Sequence, residues 1–204
     1  SHVVVASSAA VYGELCGEIA GESHPTQPLT PNGAAKLAVE EFLQESCRDQ
    51  HMATTILRFA NLYGPGSTSE CESAVHAFVE RISCGESPVI DGSGNQTRDF
   101  VSVRDAAVAV AAVVESRTTG TFNVGTGIET SILELSTCVA EALGVALPTP
   151  RYRPSRPNDA RRSCLDGTRL YEAVGFRPAT ELREGLAETV TSQCSVAATS
   201  TGLS

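Results

Sequence analysis

His2-Val-Val-Val-Ala6 runs into Ser7-Ser8-Ala9-Ala10-Val11-Tyr12-Gly13, and after a polar loop the chain resumes at Thr30-Pro31-Asn32-Gly33-Ala34-Ala35-Lys36. The β-branched run over His2–Ala6 is short and continuous, which predicts a strand covered on both faces in a parallel sheet. Ser7 and Ser8 then stand at its carboxyl end, where open α/β sheets place their ligands. Pro31 suits a helix entry, and Asn32 and Lys36, one helical turn apart, share a face of the helix that opens there. That helix continues through Leu37, Glu40, Glu41, Phe42, Leu43 and Glu45, apolar on one side and acidic on the other, to about Asp49. Ala53–Phe59 (ATTILRF) reads as a second buried parallel strand reached by the helical crossover.

Working outward, residues 71–84 have Val75, Phe78, Val79 and Ile82 at helical spacing. Pro88–Ile90 is a short strand, and Asp91-Gly-Ser-Gly94 a tight turn. Asp105 suits the cap of a helix over Ala106–Glu115. Gly120–Val124 is a strand ending in a glycine-rich turn through Gly127; no Lys-Ser/Thr follows, so a nucleotide P-loop is excluded. Ser131 caps a helix over Ile132–Leu143, with Glu134 completing a capping box. Leu182–Val190 forms a closing helix, and from about residue 191 small polar residues without periodicity predict a disordered tail.

The balance of 24 acidic against 15 basic residues gives a net charge of −9, which argues against nonspecific nucleic-acid binding. It leaves room for an anionic ligand held by a few arginines aimed into one pocket. No apolar run is long enough to predict a membrane span. Seven cysteines, at 16, 47, 71, 84, 138, 164 and 194, are scattered without a Cys-x-x-Cys pair, so neither a metal site nor a disulfide framework is expected. Reduced thiols in a cytoplasmic protein are the default. The four histidines are likewise unclustered.

Three further motifs stand downstream. Arg58-Phe-Ala-Asn61-Leu-Tyr63-Gly64-Pro65 follows the second strand. Gln96-Thr-Arg98-Asp99-Phe100 leads to Val103-Arg-Asp105-Ala-Ala, and Arg156-Pro-Asn158-Asp159 precedes Asp166-Gly-Thr-Arg-Leu170 and Val174-Gly-Phe176-Arg-Pro178. Together with Ser8 and Lys36 these resemble the extended short-chain dehydrogenase/reductase family, in its NAD-dependent epimerase/dehydratase branch. The likeness extends to about residue 190.

The resemblance implies an α/β fold: a Rossmann-type parallel sheet, with a small α/β substrate-binding lobe. The expected division gives residues 1–65 and about 99–125 to the partial Rossmann-type domain, and about 66–98 and 126–190 to the lobe. It implies Ser8 as the catalytic strand-end hydroxyl, Asn32 at the position of the family's tyrosine, and Lys36 as the lysine that lowers that tyrosine's pKa and holds the nicotinamide ribose. Ser7 and Lys36 are the expected cofactor contacts, and Asn61, Arg98 and Arg156 the expected grip on the substrate diphosphate, where a planar guanidinium can engage two phosphate oxygens at once. NAD or NADP is the implied cofactor and a nucleotide sugar the implied substrate. Homodimerisation is implied through the helix bearing Lys36, which Leu37 and Phe42 permit.

Two departures from the family pattern bear on activity. Asn32 is an amide, which cannot ionise near neutral pH and so cannot act as the general base. The family's glycine-rich pyrophosphate loop is not matched: Gly13, Gly17 and Gly21 lie in a polar stretch read as a flexible loop, and the chain opens inside a strand as though part of something longer. Weak or absent NAD binding is therefore expected. Ala9 and Ala10 stand where 4,6-dehydratases carry an acidic pair, so the resemblance favours a 4-epimerase-like enzyme; the alternatives are a catalytically silent nucleotide-sugar-binding module and an inactive fragment.

Overall fold

The computed structural model describes residues 1–66 and 73–200, with side chains as far as Gln193 at the carboxyl end. In chain order it contains β1 (His2–Ser8), a 3-10 turn (Ala9–Val11), α1 (Pro31–Asp49), β2 (Ala53–Phe59), β3 (Asn61–Tyr63) and α2 (Ala74–Ser83). β4 (Val89–Asp91), β5 (Thr97–Arg98), β6 (Phe100–Ser102), α3 (Val103–Ser116) and β7 (Gly120–Val124) follow. The chain closes with β8 (Thr130–Ser131), α4 (Ile132–Ala142), β9 (Arg151–Arg153), β10 (Arg162–Ser163), α5 (Thr168–Val174) and α6 (Leu182–Ser200). These residues form two compact units, one from 1–62, 96–130 and 157–179, the other from 63–95, 131–156 and 180–204.

The first unit is organised on a parallel sheet in the order β1-β2-β7. Register runs from His2↔Ala53 to Ser8↔Phe59, and from Thr55↔Gly120 to Phe59↔Val124, so three strand ends finish level with one another. Parallel pairing requires a crossover, and α1 supplies the one between β1 and β2. Its entry is fixed by Thr30, whose hydroxyl accepts from the Gly33 amide at 3.1 Å, and by Pro31 in the first turn. Both α1 and α3 pack on β1 and β2, over a core that includes Val11, Leu57, Phe59, Val101, Val113 and Phe122. Residues 157–179, expected in the lobe, belong to this unit: Leu165 and Leu170 are buried in the same core.

Three expectations need correction. β1 is not covered on both faces: Val3, Val4 and Val5 are half-buried and Ala6 is exposed, and among the described residues its only sheet neighbour is β2. A continuous apolar run signals a strand but carries no record of whether it lies inside the sheet or at its border. Asp105 does not cap α3. Ser102 does, its hydroxyl accepting from the Arg104 amide at 3.2 Å, so the helix starts three residues early, while buried Asp105 accepts from the Ala179 amide at 3.2 Å.

The loop bearing Gly13, Gly17 and Gly21 is not loose. Ala20 donates to the Cys164 carbonyl and accepts from Asp166, both at 2.9 Å, and Glu22 accepts from the Asn123 amide at 2.7 Å. Hydrogen bonds to residues more than a hundred positions away are invisible to a reading based on local composition. Of the two apolar α1 residues named for a dimer contact, half-buried Leu37 packs against the core, whereas Phe42 is 67% exposed.

In the second unit, β4 and β9 pair in parallel, and α4 packs against both α2 and α6. Val75, Phe78, Val79 and Ile82 are all buried along α2, as their spacing requires; the expected start of that helix at residues 71–72 lies outside the described residues. Ser131 caps α4 by accepting from the Glu134 amide at 3.0 Å. α6 runs to Ser200, into the stretch expected to be disordered; residues 191–200 contain no glycine or proline to stop a helix, and 201–204 lie outside the described residues. Among the described residues no helix is long and apolar enough to cross a membrane.

Candidate functional site

The strand tip of β1 rests on a buried polar chain. Ser7 is buried and its hydroxyl donates to Glu40 Oε1. Glu40 also receives Arg58 Nε at 3.0 Å and Nη2 at 2.6 Å. Arg58 Nη1 donates to the Tyr12 hydroxyl at 3.0 Å, and that hydroxyl donates in turn to Asn123 Oδ1 at 2.7 Å. The Asn123 amide nitrogen ends the chain on the Ala20 carbonyl at 2.8 Å. Glu40 is 2% and Arg58 7% exposed, so their charges are held almost wholly out of water and the added hydrogen bonds offset the desolvation.

Burial pulls the Arg58 pKa down, but the bonds to Glu40 and Tyr12 outweigh it and the net shift is upward. Burial pushes the Tyr12 phenol above its ordinary value, against the pull of Arg58. Tyr12 is therefore a fixed structural phenol and no substitute for a catalytic base. Glu40 had been read as part of an acidic outer face. It lies one turn beyond Lys36, on the face turned to the sheet; only that spacing pointed to it.

Lys36 Nζ donates to the Ala6 carbonyl at 3.0 Å, two residues before Ser8. Ser8 is half-buried, and its Oγ accepts from the Ala10 amide at 3.2 Å, capping the 3-10 turn. A Cβ on Gly33 would stand 2.4 Å from the Ala10 carbonyl oxygen, so the first turn of α1 is pressed against the strand tip. Ser8, Asn32 and Lys36 are thus gathered at one end of β1, with Asn32 exposed. Ser7 faces the other way. Its hydroxyl hydrogen is donated to Glu40, as expected where successive strand side chains alternate in direction.

Asn61 is exposed just past β2, and its amide donates to the Asp99 carbonyl at 2.9 Å, which brings it beside Arg98. Asp99 turns inward. Its carboxylate accepts from Thr126 N at 3.0 Å, Thr126 Oγ1 at 2.5 Å, Gly127 N at 3.2 Å and Leu165 N at 3.3 Å. Burial nevertheless holds its pKa above the usual carboxylate value, with those bonds pulling the other way. Arg98 pairs with Asp159, and Arg156, in the second unit, pairs with Asp91. No group of side chains suited to a metal ion occurs among the described residues.

The profile of the NAD dependent epimerase/dehydratase family matches residues 1–125. The chain belongs to that family. It is similar to UDP-glucose 4-epimerase of Mycolicibacterium smegmatis, with 38% identity over 190 residues covering 92% of this chain and 60% of that protein. Among solved structures it resembles UDP-N-acetylglucosamine 4-epimerase of Methanobrevibacter ruminantium in complex with UDP-N-acetylmuramic acid, at 32% identity and a TM-score of 0.89, covering 96% of this chain and 63% of the other. It also resembles the Thermus thermophilus UDP-glucose 4-epimerase complex with NAD, at 35% identity and a TM-score of 0.85, covering 94% and 63%. The chain therefore spans about 60% of the length of the curated relative.

For family members, NAD is the implied cofactor, and the residues present fit one end of it. Half-buried Lys36, reaching the strand tip, suits the hydroxyl-rich nicotinamide ribose. The pyrophosphate end finds no cradle in the Gly13 and Gly17 loop, because the space a Cβ would take at Gly13 is filled by the Gln27 carbonyl oxygen at 2.0 Å and Gly17 faces Arg162 Nη1 at 3.3 Å.

Proposed function

We propose that this protein acts on nucleotide sugars as a 4-epimerase-like enzyme, through transient oxidation of a sugar carbinol. Ser8 hydrogen-bonds the sugar hydroxyl and relays its proton to solvent water as hydride leaves the carbon, and Lys36 holds the nicotinamide ribose. Asn61 and Arg98, both in the first unit, take the diphosphate oxygens, the guanidinium group doing so in a planar, bidentate manner. Bound NAD supplies the hydride acceptor. Ala9 and Ala10, next to Ser8, offer neither acid nor base, which removes the means of eliminating water. The observation that supports this reading most is the docking of α1 on the β1 tip, with Lys36 Nζ 3.0 Å from the Ala6 carbonyl and Ser8 two residues further on.

Asn32 favours a second reading, a module that binds nucleotide sugar without turnover. The exposed amide stands one helical turn before Lys36 and cannot accept the carbinol proton. Calorimetric titration with UDP-glucose and with NAD separately distinguishes the readings. Binding of both is expected of the enzyme, binding of UDP-glucose alone of the silent module, and binding of neither refutes both. Under the enzyme reading, Asn32→Tyr raises turnover by about 10²–10⁴-fold, the usual worth of a positioned base.

A further inference from the structure

The guanidinium group of Arg98, proposed to grip the diphosphate, already holds an anion belonging to the chain. Arg98 Nη2 lies 2.5 Å from Asp159 Oδ1, and its Nη1 donates to the Thr97 carbonyl at 2.7 Å. The Arg98 side chain is only 12% exposed and that of Asp159 38%, so the arginine is the inner member and the carboxylate its lid toward water. Parallel pairing of β5 with β10 brings the Asp159 segment alongside, through Thr97 N to the Arg161 carbonyl and Asp99 N to the Ser163 carbonyl, both 2.9 Å. Asn158, at φ 59, makes the left-handed turn immediately before Asp159. The Arg156–Asp91 pair of the second unit, at 2.6 Å from Nε to Oδ2, is the reverse case: there the arginine is the exposed member.

We propose that Asp159 is the resident counter-ion of Arg98, displaced when a diphosphate enters. This rests on the nucleotide-sugar reading of the preceding section. A mostly buried guanidinium left without an anion is costly, so the empty site keeps one. A singly charged anion offers Arg98 little that Asp159 does not already give. A diphosphate brings more charge and more acceptor oxygens, and it alone gains from the exchange. Asp159 thereby sets the preference of the site for diphosphate over simple anions.

The test measures binding of inorganic pyrophosphate to the wild-type chain, Asp159→Asn, Asp159→Ser and Arg98→Met, with UDP-glucose in parallel. Pyrophosphate carries no ribose, so its affinity reports the arginine alone. Loss of the counter-ion is expected to tighten pyrophosphate binding roughly three- to tenfold in both Asp159 variants, the worth of a partly exposed ion pair. Loss of a merely structural prop would loosen it. Unchanged or weaker pyrophosphate binding in both variants, with Arg98→Met still reducing UDP-glucose binding, overturns the inference and leaves the diphosphate reading standing. Indifference of both ligands to Arg98→Met overturns both.

Discussion

Replacing Glu40 by alanine is expected to destabilise the first unit by about 3–5 kcal/mol, because it removes one partner of a buried ion pair and leaves the other charge uncompensated. Glu40 takes Arg58 Nε at 3.0 Å and Nη2 at 2.6 Å, together with the Ser7 hydroxyl. Without it Arg58, 7% exposed, retains the Tyr12 hydroxyl at 3.0 Å, a neutral acceptor. In a chain of this size the loss corresponds to a fall in melting temperature of roughly 6–20 °C. Urea denaturation followed by circular dichroism gives the free energy directly. Glu40→Gln keeps the shape and loses the charge, and it should fall near the alanine value. Glu40→Leu with Arg58→Met removes both charges and should recover much of the loss, as apolar replacement of a whole buried pair commonly does. A Glu40→Ala cost below about 1 kcal/mol, the range of an exposed pair, would refute the assignment of this chain of bonds as the support of the strand tip.

Gly33→Ala sets a Cβ 2.4 Å from the Ala10 carbonyl oxygen, so it should cost roughly 1–3 kcal/mol and weaken UDP-glucose binding by moving α1 off the β1 tip; unaltered stability and binding would contradict the close approach. Asp99 has its folded pKa raised above 3.8, so its proton is held more tightly in the folded state, and the contribution from its ionisation is present below pH 3.8 and lost as pH rises through the folded pKa. The stability of wild type relative to Asp99→Asn, measured by urea titration between pH 3 and 7, should therefore decline with rising pH over that window; a relative stability that grows would reverse the assignment. Among the described cysteines, Cys16 and Cys84 are exposed and should label with iodoacetamide in the native protein. Cys164, buried and pushed up to about 12, should label only on unfolding, with peptide mapping as the readout.

Local order was legible wherever one residue's neighbours along the chain decide its state. The apolar run Ala53–Phe59 became β2 over the same residues, and Thr30, Pro31 and Ser131 mark helix starts because capping is a matter of three or four consecutive residues. The motifs around Ser8, Lys36, Asn61 and Arg98 likewise pointed to the family, whose profile matches residues 1–125. What the sequence could not convey was the assignment of polar partners. Glu40 and Glu41 are adjacent carboxylates on one helix, yet the first is buried against Arg58 and Ser7 and the second is exposed.

Asp105 reads as a capping acid and Asp99 as one member of a motif. Each instead binds backbone amides brought from the far end of the chain, Leu165 for one and Ala179 for the other. Composition and periodicity therefore determined which segments are helices and strands, because those are set by short-range sterics and by which faces must leave water, while the resemblance of the motifs pointed to the family. The tertiary structure alone decided which charges meet, including the Arg98–Asp159 pair, because a hydrogen-bond partner is chosen by proximity in space and strand pairing supplies that proximity across separations the local sequence does not record.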